Sequence, residues 1–152
     1  MAFTTGYLGD PQQVGAGERF GNNNTILSYA SFEDGLKVGR FAKLDNGRLD
    51  NMDGSVTPVV AGVVLRNAAS PVEDGAAVDS DLYSQVEAMY DGLVTVNIVT
   101  GDTPSRFGLV YASNDGDAND GLATTDNTQA PTGARFIQEV QSGVWLIAQT
   151  AV

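Results

Sequence analysis

The chain has 152 residues, which is enough for one domain with its own core, and 19 acidic against 8 basic side chains give it a net charge of −11. It contains no cysteine and no histidine, which excludes disulfides, thiolate or imidazole metal sites, Ser-His-Asp triads and Cys-His dyads. Carboxylates, hydroxyls, tyrosines and two lysines are left for chemistry, so the composition favours a protein that is not an enzyme and needs no cofactor beyond, at most, a calcium ion.

The basic residues are scattered singly along the chain and form no basic stripe. Binding to nucleic acid is therefore not expected, because it depends on clustered Lys and Arg that neutralise phosphates. The lack of cysteine is typical of a cytosolic protein rather than a small secreted one. The N-terminus shows no signal-peptide pattern, and no apolar run has the length of a membrane span. We expect a protein made in the cytoplasm that contacts no membrane.

Residues 1–30 differ from the rest of the chain, because they show no sustained period of a helix or a strand. Single aromatics are spaced among Gly, Pro, Gln and Asn, and such a segment cannot bury enough apolar surface to fold alone. Two interpretations remain open: a floppy tail, or an extended N-terminal arm that places its aromatics in pockets of a neighbouring subunit. For the arm, the candidate partner-binding residues are Phe3, Tyr7, Phe20 and Tyr29.

Strand patterns dominate after the arm. A short strand over residues 36–44 is followed by Asn46-Gly47, a strong signal for a hairpin turn. The continuous apolar run over residues 56–66 is rich in β-branched side chains and predicts a strand that is buried on both faces. Gly62, in the middle of this run, indicates a bulge or a close backbone contact.

The middle of the chain predicts a loop followed by a hairpin. Residues 70–85 are expected to form a loop with at most one helical turn. Over residues 84–99, Asp91-Gly92 fits the two-residue turn of a β-hairpin, since both residue types tolerate a positive φ. Apolar and polar residues alternate after this turn, which predicts a second strand with one buried face.

The last part of the chain predicts a strand over residues 105–113 and a closing hairpin over residues 134–150. Trp145, the only tryptophan, is expected in the core. About seven short strands separated by turn signals predict an all-β fold, a small antiparallel β-sandwich or barrel. We therefore divide the chain into an extended N-terminal arm, residues 1–30, and a single β-domain, residues 31–152.

The acidic loop, residues 113–121 with the sequence SNDGDANDG, has the composition of a calcium loop. An EF-type loop needs oxygen ligands at alternate positions, a glycine at the sixth and a bidentate carboxylate at the twelfth. Counted from Asp115, the glycine comes one position late, and the flanking segments are not helical. This mismatch favours a solvated turn, and a weak cation site stays the alternative. The candidate metal ligands are Asp115, Asp117, Asn119 and Asp126.

Catalytic patterns are scarce. Glu87 and Glu139 are the carboxylates within predicted strands, and a glycosidase would need two such groups across a cleft. Nothing in the sequence brings them together, so outward-facing sheet positions explain both better than a hydrolase does.

Five segments, taken in order, resemble the capsid cement, or head decoration, proteins of tailed phages: LKVGRFAKLDNGRL, VVAGVVLRN, VEAMYDGLVTVNIV, DTPSRFGLVYASNDG and GARFIQEVQSGVWLIAQ. In that family a strand ending in a glycine turn leads to an AGVV strand, a GxVxV strand, a proline- and glycine-containing segment ending in VY, and a last strand with a W/A position. The resemblance covers residues 36–150. The residues that carry it are Gly39, Gly62, Gly92, Val94, Val96, Pro104, Gly108, Val110 and Tyr111.

The resemblance implies a structural protein of the virion with no catalytic residues. Such a protein binds the outer surface of the expanded icosahedral head and bridges subunits of the major capsid protein. It would assemble as a trimer or dimer and reach neighbouring subunits with its N-terminal arm.

A carbohydrate- or calcium-binding β-module of a viral fibre or adhesin is the alternative. It would use the acidic loop and exposed aromatics such as Trp145 or Tyr111. Exposure of Trp145 to solvent would favour this alternative.

Overall fold

The computed structural model of the chain describes residues 15–66, 77–78 and 85–150. Within these ranges the secondary-structure elements are all β-strands. No helix with the length and apolar character of a membrane span is found in the described ranges. The strands are β1 (Arg19–Tyr29), β2 (Leu36–Lys37), β3 (Phe41–Asp45), β4 (Arg48–Asn51), β5 (Val60–Val64), β6 (Ala77–Val78), β7 (Val86–Asn97), β8 (Leu109–Ala112), β9 (Ala123–Thr124), β10 (Ala130–Gln141) and β11 (Val144–Gln149).

Nine of these strands form one curled antiparallel sheet. Its order is β4-β3-β5-β7-β11-β10-β8-β9, and β1 also pairs with β7. The sheet curls into a half-barrel, and its β9 edge returns to the end of β7, where Ala123 forms a bridge with Ile98. A small second sheet consists of β2 and β6. The predicted all-β antiparallel fold is confirmed.

The core lies in two clusters on opposite faces of the central strands. The larger cluster packs inside the curl around Phe41, Met89 and Phe136, and the smaller one packs around Leu36 and Leu49. Adjacent residues of β5, Val63 and Val64, belong to different clusters, so this strand is buried on both faces as predicted. The predicted start at residue 56 is wrong, because β5 begins at Val60 and Val56 and Val59 are exposed. A Cβ on Gly62 would collide with the backbone of Met89, which confirms the predicted close contact.

Two of the hairpin predictions are confirmed. Asn46-Gly47 forms the turn between β3 and β4, with a positive φ at both residues. β10 and β11 pair across the turn at residues 142–143, and the predicted strand over 105–113 contains β8. Of the loop predicted over 70–85, only residues 77–78 and 85 are described, and the rest lies outside the described residues.

The hairpin predicted over residues 84–99 is wrong. β7 runs without a turn from Val86 to Asn97, and Asp91 and Gly92 lie inside it. β1 pairs with both halves of β7, whereas β5 pairs with the first half and β11 with the second. Because each half finds partners elsewhere in the chain, the halves do not pair with each other, and tertiary pairing overrides the local turn preference.

The described end of the predicted arm is bonded to the main sheet. The Thr95 hydroxyl donates to the carbonyl oxygen of Gly15 at 2.7 Å and accepts from the N–H of Glu18 at 3.0 Å. The N–H of Gly17 donates to the Thr95 carbonyl oxygen at 2.7 Å. Residues 15–18 thus fix the point at which the chain enters the domain, and β1 continues from there. The boundary at residue 30 stays a prediction.

Candidate functional site

The acidic loop lies between β8 and β9 and is closed at its base by backbone hydrogen bonds. The N–H of Ser113 donates to the carbonyl oxygen of Leu122, and the N–H of Gly121 donates to that of Ser113, both at 2.8 Å. The Arg40 guanidinium donates to the carbonyl oxygens of Ala118 and Asp120, at 2.8 and 3.0 Å. Because the Arg40 guanidinium binds its carbonyl oxygens and backbone hydrogen bonds close its base, the loop has a defined turn structure.

The carboxylates of the loop accept hydrogen bonds from the loop itself. One oxygen of Asp120 accepts from the N–H groups of Asp115 and Gly116 at 2.8 and 3.0 Å. Asp117 accepts from the N–H of Asn119 at 2.8 Å. These are the local side-chain-to-backbone bonds by which Asp stabilises turns. The abundance of Asp in the loop is therefore accounted for by its turn structure.

The four candidate metal ligands engage in separate hydrogen bonds. Asp126 accepts from the N–H and the hydroxyl of Thr128, and these two bonds hold the pKa of the Asp126 carboxyl below its ordinary value. Asp115 accepts from the Gln129 amide at 3.0 and 3.1 Å. Within the described ranges, no three His, Cys, Asp or Glu side chains are grouped so that they could hold a metal ion. The cation site stays a prediction.

Asn114 and Gln129 join the acidic loop to two neighbouring segments. The Asn114 amide accepts from the N–H of Gly54 at 2.8 Å and donates to the carbonyl oxygen of Ser55 at 2.9 Å. The side-chain oxygen of Gln129 accepts from the N–H of Asn114 at 2.8 Å. The two amides thus connect residues 54–55, the acidic loop and the entry to β10.

An open cavity of about 340 Å³, which we call the cleft, lies between these connected segments. Its walls combine apolar side chains with amide and carboxylate groups. The lining residues used below are Thr57, Pro58, Asp115, Thr128, Ala130 and Pro131. Beside it, Val56 and Val59 are exposed by 88% and 65%, so apolar surface continues beyond the cleft on the residue 56–59 side.

The segment that borders the cleft on this side is held by an ion pair. The ammonium of Lys43, a buried side chain of β3, lies 2.7 Å from the Asp53 carboxylate and also donates to the Ser55 hydroxyl at 3.1 Å. Bonds from Lys43 and Ser55 hold the pKa of Asp53 below its ordinary value. The ion pair removes the cost of leaving a buried Lys43 charge without a partner.

Asp102 fastens β9 to the turn that follows β7. Its carboxylate accepts from the Thr124 hydroxyl and from the N–H of Thr125, both at 2.8 Å. Burial acts to raise the pKa of Asp102, but the hydrogen bonds from Thr125, Thr124 and Thr103 together outweigh it and leave the pKa below its ordinary value. The ionised carboxylate therefore stabilises the closure of the curled sheet.

The tip lies at the start of β8 and consists of Arg106, Phe107 and Leu109 together with Arg135 of the neighbouring β10. Phe107 has a φ of +67° and is 60% exposed, although side chains other than glycine rarely adopt this conformation. Its N–H donates to the Phe136 carbonyl oxygen at 2.6 Å, and its own carbonyl oxygen accepts from Arg135 at 3.0 Å. The Arg106 guanidinium carbon lies 5.0 Å from the centre of the Phe107 ring. The backbone is thus fixed on both sides while the ring is presented to solvent.

The sequence did not reveal the tip. Phe107 stands in the stretch SRFGLVY, whose pattern indicates only a strand, and an exposed phenylalanine with positive φ has no signature in composition or periodicity. The proximity of Arg106 and Arg135 was also hidden, because the two residues are far apart in the chain and meet through the β8–β10 pairing.

The aromatic residues of the sequence-based hypotheses are found in different places. Trp145 is only 9% exposed and packs edge to face against Phe136 at 5.5 Å, so it is the predicted core residue and not the exposed aromatic that the carbohydrate module would favour. Phe20 and Tyr29 are half-buried on β1. Tyr29 packs against the smaller cluster, and burial together with Tyr90 raises its pKa.

Two proposed arm anchors, Phe3 and Tyr7, lie outside the described residues. The partner-binding role of the four arm aromatics stays a prediction. Glu87 and Glu139 lie on β7 and β10, which do not pair with each other in the sheet.

Comparison with known proteins finds matches over nearly the whole chain. The family model described as the XM1 gp53 minor capsid protein matches residues 3–150. Among solved structures, a chain of "The capsid of Myoviridae Phage XM1" is 27% identical, with a TM-score of 0.84, over 99% of this chain and 98% of that chain. No curated protein matches the sequence.

Proposed function

The chain belongs to the XM1 gp53 minor capsid protein family, and from this premise we propose that it is a cement, or decoration, protein of a tailed-phage head. It binds the outer surface of the expanded shell and bridges subunits of the major capsid protein. The match over residues 3–150, together with a capsid chain of the same fold over nearly its whole length, carries the proposal. The role is structural, and the protein acts in the virion without catalysing a reaction.

The affinity of such a protein for the shell depends on the area of each interface and on the number of interfaces that one oligomer makes. A stable protein–protein interface buries about 1,600 Å² in total. When a trimer or dimer presents two or three such interfaces, each further contact becomes intramolecular and total affinity rises by orders of magnitude. A net charge of −11 keeps free copies soluble and limits their nonspecific aggregation.

Co-sedimentation with expanded capsids that lack this protein tests the proposal. We expect saturable binding at a fixed ratio to the major capsid protein, and greater resistance of the loaded shells to heat. Unexpanded shells are the matched control and are expected to bind less. No binding to intact expanded shells would contradict the cement role.

The arm is proposed to carry part of the attachment. The chain enters the domain at the bonded segment 15–18, so a deletion of residues 1–14 removes Phe3 and Tyr7 and leaves β1 intact. We expect this deletion to reduce shell binding at least about tenfold, because buried aromatics dominate binding energy. The melting temperature should stay within about 2 °C of the full chain, a shift that corresponds to about 0.5–1 kcal/mol. Undiminished binding of the shortened chain would contradict the arm hypothesis.

A further inference from the structure

The tip and the cleft have complementary chemistry within one chain. We propose that copies of this protein contact one another head to tail, with the Arg106–Phe107 tip of one copy docked in the cleft beside Asp115 of the next. The proposed function includes a homo-oligomer, and the inference rests on it only because it names the contact that joins the copies. The contact can be tested without shells.

The tip has the properties of a preorganised anchor. Phe107 remains 60% exposed in a backbone conformation that costs a non-glycine residue about 1–2 kcal/mol. Such a residue persists only because the Phe136 carbonyl and Arg135 hold its backbone from two sides. A fixed ring loses little conformational entropy when it is buried, and rigid aromatics with flanking arginines are typical centres of binding energy.

The cleft offers what this anchor lacks. Pro58, Ala130 and Pro131 supply apolar surface for a ring, and the Asp115 carboxylate stands among them. The tip carries two of the eight basic residues of the chain, and no carboxylate occurs between residues 103 and 109. A positive, apolar tip facing an acidic, partly apolar cleft satisfies both charge and hydrophobic burial.

The geometry excludes a contact between the tip and the cleft of the same copy. In the β8–β10 pair, Leu109 lies opposite Arg135 near the tip, whereas Ala112 lies opposite Ala130 at the cleft. Tip and cleft therefore occupy opposite ends of the pair, because Phe107 precedes and Asp115 follows the strand Leu109–Ala112, which at about 3.3 Å per residue is about 10 Å long. A ring cannot cross this separation within its own copy. Contacts between unlike surfaces generate a closed ring or an open chain of copies, and a ring suits a trimer on a closed shell.

The observations favour a second copy over another partner, because both halves of the complementary pair are found on this chain. The surface of the copy is acidic overall, with 19 carboxylates against 8 basic side chains, so the tip meets attractive charge as it approaches. Insertion of the tip into the major capsid protein is the competing outcome, and the experiment distinguishes the two.

Cross-linking of single-cysteine variants tests the contact directly, because the chain has no cysteine of its own. Ser105→Cys places a thiol beside the tip and keeps the Phe107 ring, and Thr128→Cys places one in the cleft lining. We expect a short bis-maleimide to link the two variants when they are mixed, and to link neither variant when it is alone. Ser142→Cys, in the exposed β10–β11 turn, replaces the tip variant as the matched control and should not link to Thr128→Cys.

The location of the links decides the inference. Links in the mixture alone support a head-to-tail contact. Links within Ser105→Cys alone show that tips meet tips and overturn it. A lack of links, both in concentrated solution and on saturated shells, overturns it as well. A link from Ser105→Cys to the major capsid protein, with none to Thr128→Cys, overturns it by assigning the tip to the shell, and leaves the cement role standing.

A charge exchange provides a second, independent test. Arg106→Glu and Asp115→Arg should each weaken self-association at least about tenfold, as measured by sedimentation velocity. In the double variant Arg106→Glu/Asp115→Arg every altered tip meets an altered cleft, whatever the number of copies, so association should recover. Arg19→Glu, an exposed charge change on β1, is the control and should have little effect. Unchanged association of both single variants, or no recovery in the double variant, would overturn the proposal.

Binding to shells separates this inference from the proposed function. If Arg106→Glu loses self-association but still saturates expanded shells, the head-to-tail contact stands and is not required for attachment. If the unaltered chain self-associates but does not bind shells, the contact stands and the cement role fails.

Discussion

The two ends of the β8–β10 pair use their polar groups in opposite ways. At the cleft end, Asn114, Gln129 and the Asp side chains of the acidic loop bond to neighbouring backbone and to one another. At the tip end, two arginines hold a strained phenylalanine whose ring remains in solvent. The comparison indicates that the acidic residues mainly maintain the fold, while the capacity for new contacts lies in the residue that the fold leaves exposed.

The largest expected loss of stability comes from adding one methyl group at the cleft end. In Gly121→Ala the new Cβ would lie 2.6 Å from the Phe41 carbonyl oxygen, at a residue with a φ of +83°. Strain and overlap together should lower the free energy of unfolding by about 3 kcal/mol. Gly116→Ala is the matched control, because its φ is +80° but its nearest neighbour is at 3.5 Å, so it should cost only the backbone strain of about 1–2 kcal/mol. Equal losses in urea unfolding would show that the packing against Phe41 is not what the glycine protects.

Removal of the Asn114 amide should have the next largest effect. Asn114→Ala deletes the bonds to Gly54 and Ser55, and we expect a loss of about 1–2 kcal/mol in unfolding free energy. Asp117→Ala deletes only a bond within the exposed loop, so its loss should be below about 1 kcal/mol. If Asp117→Ala costs as much as Asn114→Ala, the connection between segments is not the source of stability at this end.

The acid sensitivity of the sheet closure provides a smaller effect. The pKa of Asp102 is below its ordinary value of 3.8, so its ionised form stabilises the fold fully above that pH, and the contribution disappears as the pH falls through the folded pKa. We expect Asp102→Asn to cost about 1 kcal/mol at pH 7, because the site is partly exposed to solvent.

The difference between wild type and Asp102→Asn should be constant from pH 7 to 5 and shrink below about pH 4. Urea unfolding at a series of pH values measures it. A difference that grew on acidification would mean that the carboxyl is stabilised in its protonated form, which would contradict the hydrogen-bond pattern around it.

The fold was predictable from the sequence wherever neighbouring segments pair with each other. Asn46-Gly47 formed its turn because β3 and β4 lie side by side, and the last hairpin formed for the same reason. Asp91-Gly92 carries a comparable turn signal, yet β7 continues through it because β1, β5 and β11 occupy its edges. Turn chemistry is local, whereas strand pairing is set by the whole chain, and no window of sequence contains that competition.

The candidate site was predictable only in part. Composition identified the acidic loop and its turn character, and Asp side chains do accept hydrogen bonds from the backbone of this turn. The cleft was hidden because its walls come from segments that are distant in sequence. The tip was hidden because positive φ at Phe107 results from tertiary bonds to Phe136 and Arg135.

The smallest expected effect on stability bears most directly on the comparison. Phe107→Asn replaces the ring by a residue that tolerates positive φ, so about 1 kcal/mol of strain is relieved. Loss of the Arg106 contact and of the buried part of the ring offsets most of that gain, since an exposed cation–π contact contributes about 0.5–1 kcal/mol. The free energy of unfolding should therefore stay within about 0.5 kcal/mol of wild type in urea melts. A large loss of stability would place Phe107 among the residues that maintain the fold, and the contrast between the two ends would disappear. An unchanged fold with weakened self-association would instead identify Phe107 as a residue retained for contact, because nothing inside the domain depends on it.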